Sequence, residues 1–133
     1  MACGVTGWEH RGVAMTVLIV DDHEGFRGAA RRLLEAQGFV VLGEAGDGAG
    51  GLQAASDLQP DVVLLDVMLP DGDGLVVADQ MSALPEPPMV VLTSSRRRRD
   101  FGPRLDRCSA RGFVHKGDLS GDVLAGLTGG ARS

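Results

Sequence analysis

Lysine is almost missing from this 133-residue chain: of its thirteen basic side chains, twelve are arginine and one, Lys116, is lysine. Aromatic residues are scarce too, at 4%, with no tyrosine at all. A chain of this length has room for one core, and that core has to be aliphatic, built from Val, Leu and Ala. The two cysteines, Cys3 and Cys108, make no disulfide framework and have no metal-ligand spacing with His10, His23 or His115. This usage fits a reducing compartment, so a cytoplasmic location is expected. No apolar run approaches the length of a membrane span, and the first residues, with Glu9, His10 and Arg11, do not resemble a signal peptide. Positive charge is not in excess. A net charge of -5 and a pI near 5.0 argue against general attraction to nucleic acid or to anionic membranes.

What is present is a pair of short apolar runs that each stop on aspartate. Val17-Leu18-Ile19-Val20 precedes Asp21-Asp22, and Val62-Val63-Leu64-Leu65 precedes Asp66. Runs this short and rich in Val read as buried parallel strands rather than helices. Parallel neighbours end on one edge of the sheet, where open α/β sheets keep their sites. Three carboxylates then crowd one crevice, which is unfavourable unless a cation or a proton neutralises them. The arrangement predicts a hard divalent ion on oxygen ligands, Mg2+ being the expected one.

The rest of the chain alternates strand and helix. Strands are expected at 16–21, 39–45, 61–66, 89–93 and 112–114. Helices are expected at 24–37, from an Asp47 cap to about 58, from the Leu69-to-Gly74 loop to about 84, at 97–109 with a weaker pattern, and at 119–128. Five of each give an α/β fold with a five-stranded, doubly wound parallel sheet between helices. Residues 1–15 lack periodicity and are expected to be a disordered tail, 16–129 the domain, and 130–133 a tail or the start of a linker. Thr93 closes the fourth strand and Lys116 lies just past the fifth, on the same edge as the aspartates. A lone Lys among arginines suits a position that needs a compact ammonium beside a carboxylate.

Four stretches in this order carry a resemblance: 17–23 (VLIVDDH), 64–74 (LLDVMLPDGDG), 91–94 (VLTS) and 112–116 (GFVHK). They resemble the receiver domain of bacterial response regulators, and most closely receivers of the NarL/LuxR-type branch. The resemblance covers nearly all of 16–129. It implies a flavodoxin-like (βα)5 three-layer sandwich that takes a phosphoryl group from a histidine kinase with Mg2+ bound, and then switches a surface. It implies that Asp66 is the phosphoacceptor, a carboxylate nucleophile forming an acyl phosphate. Asp22 matches the direct Mg2+ ligand, Asp21 a ligand through water, and Met68 a ligand through its backbone carbonyl. Thr93 matches the hydroxyl that turns toward the phosphoryl group, Lys116 the cation that pairs first with Asp66 and then with that group, and Phe113 the switch aromatic. Apolar Met68, two residues past Asp66, implies a long-lived phosphoryl group. Gly117 stands where many receivers have a proline in a cis peptide. Dimerisation on phosphorylation is common in the family, and the domain itself is expected neither to bind nucleic acid nor to act as an enzyme on anything but its own phosphoryl group. Two outputs stay open: a stand-alone receiver, or the sensory half of a DNA-binding regulator cut before its helix-turn-helix domain.

Other features receive plainer readings. Arg96-Arg97-Arg98-Arg99 reads as a solvated charge run, opposed to the helix dipole and so displacing or fraying the helix start; its functional alternative is attraction of an acidic partner or phosphodonor. Gly46-Asp-Gly48-Ala-Gly-Gly51 matches the G-x-G-x-x-G pattern of dinucleotide-binding domains, but it follows the second strand, and a flexible turn is the preferred reading. His23 is expected at a helix start rather than on a metal, His115 at the surface, and Cys108 as a small apolar residue on a helix.

Overall fold

The computed structural model describes residues 14–129. Residues 1–13 and 130–133, which carry most of the expected tails along with Cys3 and Trp8, lie outside the described residues. The elements are β1 (Thr16–Val20), α1 (Glu24–Ala36), β2 (Val40–Ala45), α2 (Gly48–Leu58), β3 (Val62–Asp66), a two-residue hairpin of β4 (Met68–Leu69) and β5 (Gly72–Asp73), α3 (Gly74–Ser82), β6 (Met89–Ser94), α4 (Pro103–Arg107), β7 (Gly112–His115) and α5 (Gly121–Thr128). The main sheet has five parallel strands in the order β2-β1-β3-β6-β7. The order reverses between β1 and β3, which places a crevice at their C-terminal ends.

Alternation along the central strands sorts the core into two layers, because successive strand side chains point to opposite faces. Val17 and Ile19 join Ala30 and Leu34 of α1 and Leu124 of α5 on one face. Leu18 and Val20 join Ala55 of α2, Ala78 and Met81 of α3 and Leu105 of α4 on the other. All residues of β3, Asp66 included, are buried, as a strand covered on both faces should be. Leu34 is fully buried, and truncation to Ala there costs about 2–5 kcal/mol.

Several boundaries differ from the sequence expectations, each for a local reason. The helix expected over 97–109 is a 3-10 turn at Arg98–Asp100 followed by the short α4. Gly102 adopts a left-handed φ of 62°, and Pro103 then starts the helix afresh. The displacement fits the arginine run, and Asp100 caps the 3-10 turn by accepting from the Arg97 N–H at 3.1 Å. The glycine-rich segment is not a flexible turn. Gly48 and Gly51 lie in the first turn of α2, and a Cβ on Gly51 would come within 2.8 Å of a Val20 methyl. Small residues here let α2 lie close on β1. The last helix starts at Gly121, after a 3-10 turn at Lys116–Asp118, and α3 stops at Ser82. Met15 belongs to the fold rather than the tail: its carbonyl accepts from the Val40 N–H at 2.9 Å, and it packs on the α1/α5 layer.

Candidate functional site

The C-terminal ends of β1, β3 and β6 and the turn after β7 meet at the topological switch point, bringing Asp21, Asp22, Asp66, Thr93 and Lys116 together. Asp66 ends β3 and is the register partner of Thr93 on β6. Asp21 follows β1 directly and is held by its N–H, which donates to the Ala45 carbonyl at 3.0 Å. Asp21 is fully buried and Asp66 is 3% exposed, whereas the Asp22 side chain is 37% exposed at the rim.

Lys116 was expected beside Asp66. Its Nζ lies 3.5 Å from Asp66 Oδ2 but only 2.6 Å from Asp21 Oδ2. One ammonium serves two buried carboxylates, either of which would be costly to leave unpaired. The contact is a charge contact, since no donor is aligned on Asp21 Oδ2 for a hydrogen bond. Thr93 Oγ1 is likewise buried without a partner. Asp21 Oδ2 has the Lys116 ammonium beside it, so Thr93 Oγ1 is the buried oxygen of this crevice left without a protein partner.

Burial pushes the Asp66 carboxyl above the ordinary carboxylate range. The Met68 N–H, which donates to its Oδ1 at 3.1 Å, opposes that; the Asp21 charge adds to it, and Lys116 counters it. Oxygen or nitrogen atoms from Asp21, Asp22, His23 and Asp66 all lie within 4.8 Å of one another. Three clustered carboxylates are the oxygen donor set that fits a hard divalent cation. His23 stands just before α1, exposed, with Nδ1 3.1 Å from both Asp21 Oδ1 and Asp22 Oδ1.

Supporting residues went unnoticed in the sequence. Arg27 Nη1 donates to the Asp21 carbonyl at 2.6 Å while its Nε pairs with Glu44 at 3.0 Å, tying the acidic turn to β2. Glu44 also pairs with Arg31 at 2.7 Å, and these arginines hold its carboxyl below the ordinary range. Gly74 opens α3 so close to the Asp66–Val67 backbone that a Cβ would overlap the Asp66 carbonyl oxygen and come within 2.7 Å of Val67 Cα. Asp73 caps α3 through the Leu75 N–H and pairs with Arg104. The first signal in the sequence was the Asp-Gly-Asp-Gly run, which marks a tight turn without saying which backbone it presses against.

The glycine pattern cannot cradle a pyrophosphate here. The Asp71 carboxylate already accepts from the Gly48 and Ala49 N–H groups at 2.8 and 3.0 Å, and those bonds hold it below the ordinary carboxylate range. Phe113 is half-buried against the core, its ring centroid 5.8 Å from that of Phe101. His115 is not simply a surface residue: Nδ1 accepts from the Gly117 N–H, and Nε2 lies 3.0 Å from the Ser95 carbonyl oxygen. Cys108 packs half-buried at the end of α4. Arg97, Arg98 and Arg99 line a groove of about 690 Å³ with Phe113, His115 and Val123. Among the described residues, no helix is long and apolar enough to cross a membrane.

Comparison with known proteins agrees with this fold. The family model described as the response regulator receiver domain matches residues 17–124. The virulence-factor transcription regulator BvgA of Bordetella pertussis is 37% identical over 108 residues, 81% of this chain and 52% of that protein. Protein-glutamate methylesterase/protein-glutamine glutaminase 6 of Anaeromyxobacter dehalogenans is 40% identical over 114 residues, 85% of this chain and 32% of that protein. The chain thus spans about half the length of BvgA, and less of the methylesterase. Among solved structures, the receiver domain of the response regulator NarL from Mycobacterium tuberculosis superposes with a TM-score of 0.77 at 31% identity, covering 88% of this chain and 98% of that one. With the family model spanning both aspartate-ended strands, Thr93 and Lys116, this chain belongs to the response regulator receiver domain family.

Proposed function

We propose that this receiver takes a phosphoryl group from the phosphohistidine of a histidine kinase onto Asp66. The observation that carries the assignment is the position of Asp66: it is a buried carboxylate at the switch point, in register with a hydroxyl that has no partner and within reach of the only lysine. An Asp66 oxygen attacks phosphorus, the phosphorus–nitrogen bond breaks, and the imidazole leaves with the bonding pair and a proton from water. Asp21, Asp22 and Asp66, with the Met68 backbone carbonyl, are the groups that would hold Mg2+, which supplies charge neutralisation as nucleophile and phosphoryl group approach.

The chain's own residues do the rest. Lys116, between the two carboxylates, swings onto the new phosphoryl oxygens. Thr93 gains in the phosphoryl group the acceptor its hydroxyl lacks. Phe113 packs next to that strand and lines the groove with Arg97 to Arg99, so a shift of Thr93 reaches this surface through β6 and β7. The groove is the responding face, and a second copy or an output partner is what it engages. The chain acts on its own phosphoryl group, without a separate substrate, and works in the cytoplasm. The receiver domain extends over 16–129, with Met15 packed onto it.

Intact mass after incubation with acetyl phosphate and Mg2+ tests the reading. One added phosphoryl group, absent with EDTA and absent in Asp66→Asn, is expected. A wild type that gains no mass and shows no response to beryllofluoride would sink it.

A further inference from the structure

Lys116 has a third contact that carries no charge. Its Nζ lies 4.5 Å from the centroid of the Phe26 ring on α1, over the ring face. That distance falls within the range where a cation is drawn to the negative face of an aromatic quadrupole. The Lys116 side chain is only 15% exposed, so little water competes for the ammonium. Phe26 itself is half-buried, packed on the layer that α1 shares with α5. The next residue, Arg27, is fixed at both ends by the Asp21 carbonyl and Glu44. The ring is therefore an anchored platform on the same turn of helix that braces the acidic loop.

We propose that Phe26 is a positioning residue for phosphoryl transfer, its ring face holding the Lys116 ammonium between Asp21 and Asp66. The inference rests on Asp66 being the acceptor. The physical need for such a platform follows from the distances. The ammonium already lies 2.6 Å from Asp21 and 3.5 Å from Asp66, so electrostatics alone draw it toward the carboxylate that does no chemistry. An aromatic face attracts the cation without accepting a directed hydrogen bond, so the three N–H groups keep their freedom to turn. Lys116 can then follow charge as it builds on Asp66 while its position stays set. A leucine in place of Phe26 fills much of the same space but offers no π face, and the ammonium, already in contact with Asp21, loses the support that keeps it within reach of Asp66.

The lone lysine makes a direct test available. In protein labelled with 13C-lysine, the single Cε group should show an upfield ring-current shift in the wild type. Phe26→Tyr should keep that shift, and Phe26→Leu should lose it. With acetyl phosphate and Mg2+, Phe26→Leu should be phosphorylated about five-fold more slowly, a change within the range of one desolvated cation–π contact. Phe26→Tyr should run near the wild-type rate, with all three proteins melting within a few degrees of one another. A wild-type resonance without the ring-current shift overturns the proposal. So does a Leu variant at full rate, or a Tyr variant as slow as Leu, which would make ring packing rather than the π face the operative feature. If the wild type gains no phosphoryl group and shows no response to beryllofluoride, the acceptor reading fails instead, while the lysine resonance still decides whether Phe26 holds the ammonium.

Discussion

Asp66 and Thr93 are register partners across β3 and β6, a carboxylate whose ionised form the fold penalises beside a buried hydroxyl that nothing satisfies. The central strands thus deliver two polar groups to one edge, one in a charged form that burial penalises and the other without a partner. Each predicts a stability gain on removal, coupled to a loss of response.

Thr93→Val removes the hydroxyl and keeps the shape. Leaving a buried donor unmet costs about 1–3 kcal/mol, so the variant should be more stable than the wild type by about 1 kcal/mol in urea unfolding without ligand. Beryllofluoride with Mg2+ should then raise the wild-type Tm more than that of the variant. Equal increments in the two proteins would mean that the hydroxyl does not engage the phosphoryl mimic.

For Asp66, the folded carboxyl titrates above its ordinary value, so the folded state binds the proton more tightly than the unfolded chain. Its favourable contribution is therefore present in full below the ordinary carboxylate value and is lost as pH rises through the raised one. Asp66→Asn stays neutral throughout. At pH 7 without Mg2+ the variant should melt a few degrees higher than the wild type, and the gap should narrow as pH falls into the carboxylate range. A gap that widens toward acid would reverse the assigned direction.

Much of this was legible in the sequence because strand hydrophobicity and strand-end polarity are local signals. Val17 to Val20 and Val62 to Leu65 announce buried strands, and the aspartates that stop them announce the site. What stayed hidden depends on distances between segments far apart in the chain. That Lys116 sits nearer Asp21 than Asp66 depends on how the strand ends pack in three dimensions, which no spacing encodes. Arg27 reads as one more exposed helix arginine until β1 and β2 bring Asp21 and Glu44 within its reach. Gly48 and Gly51 imitate a phosphate loop, and only the close approach of Val20 and the Asp71 carboxylate gives them another purpose. The arginine run did forecast a displaced helix start, while Gly102 and Pro103 decided how short that helix became.

Gly74 should be the least replaceable glycine of the site. A methyl group there overlaps the backbone on which Asp66 sits, and backbone cannot step aside as a side chain can. Gly74→Ala should cost about 3 kcal/mol or more and distort the acceptor turn. Gly126, within α5 with nothing near its would-be Cβ, provides the contrast. Gly126→Ala should stabilise by about 0.5–1 kcal/mol through helix propensity alone. Chemical denaturation of the two variants reads both effects, and similar midpoints would remove the close-approach argument.

Removing the ammonium tests the balance of charge in the crevice. Lys116→Met leaves Asp21 and Asp66 with no cation between them, and breaking a fully buried pair costs about 3–5 kcal/mol. With the lysine partly open to solvent, a loss on the order of 2 kcal/mol is expected in metal-free buffer. The same change removes the positive charge that would compete with a divalent ion for those oxygens. Mg2+ should therefore bind the variant more tightly than the wild type and recover a larger share of its stability. Titrating Mg2+ against Tm in both proteins separates the two contributions. If Mg2+ binds the variant more weakly, the lysine assists the metal site rather than competing with it, and the carboxylates are not shared between the two cations.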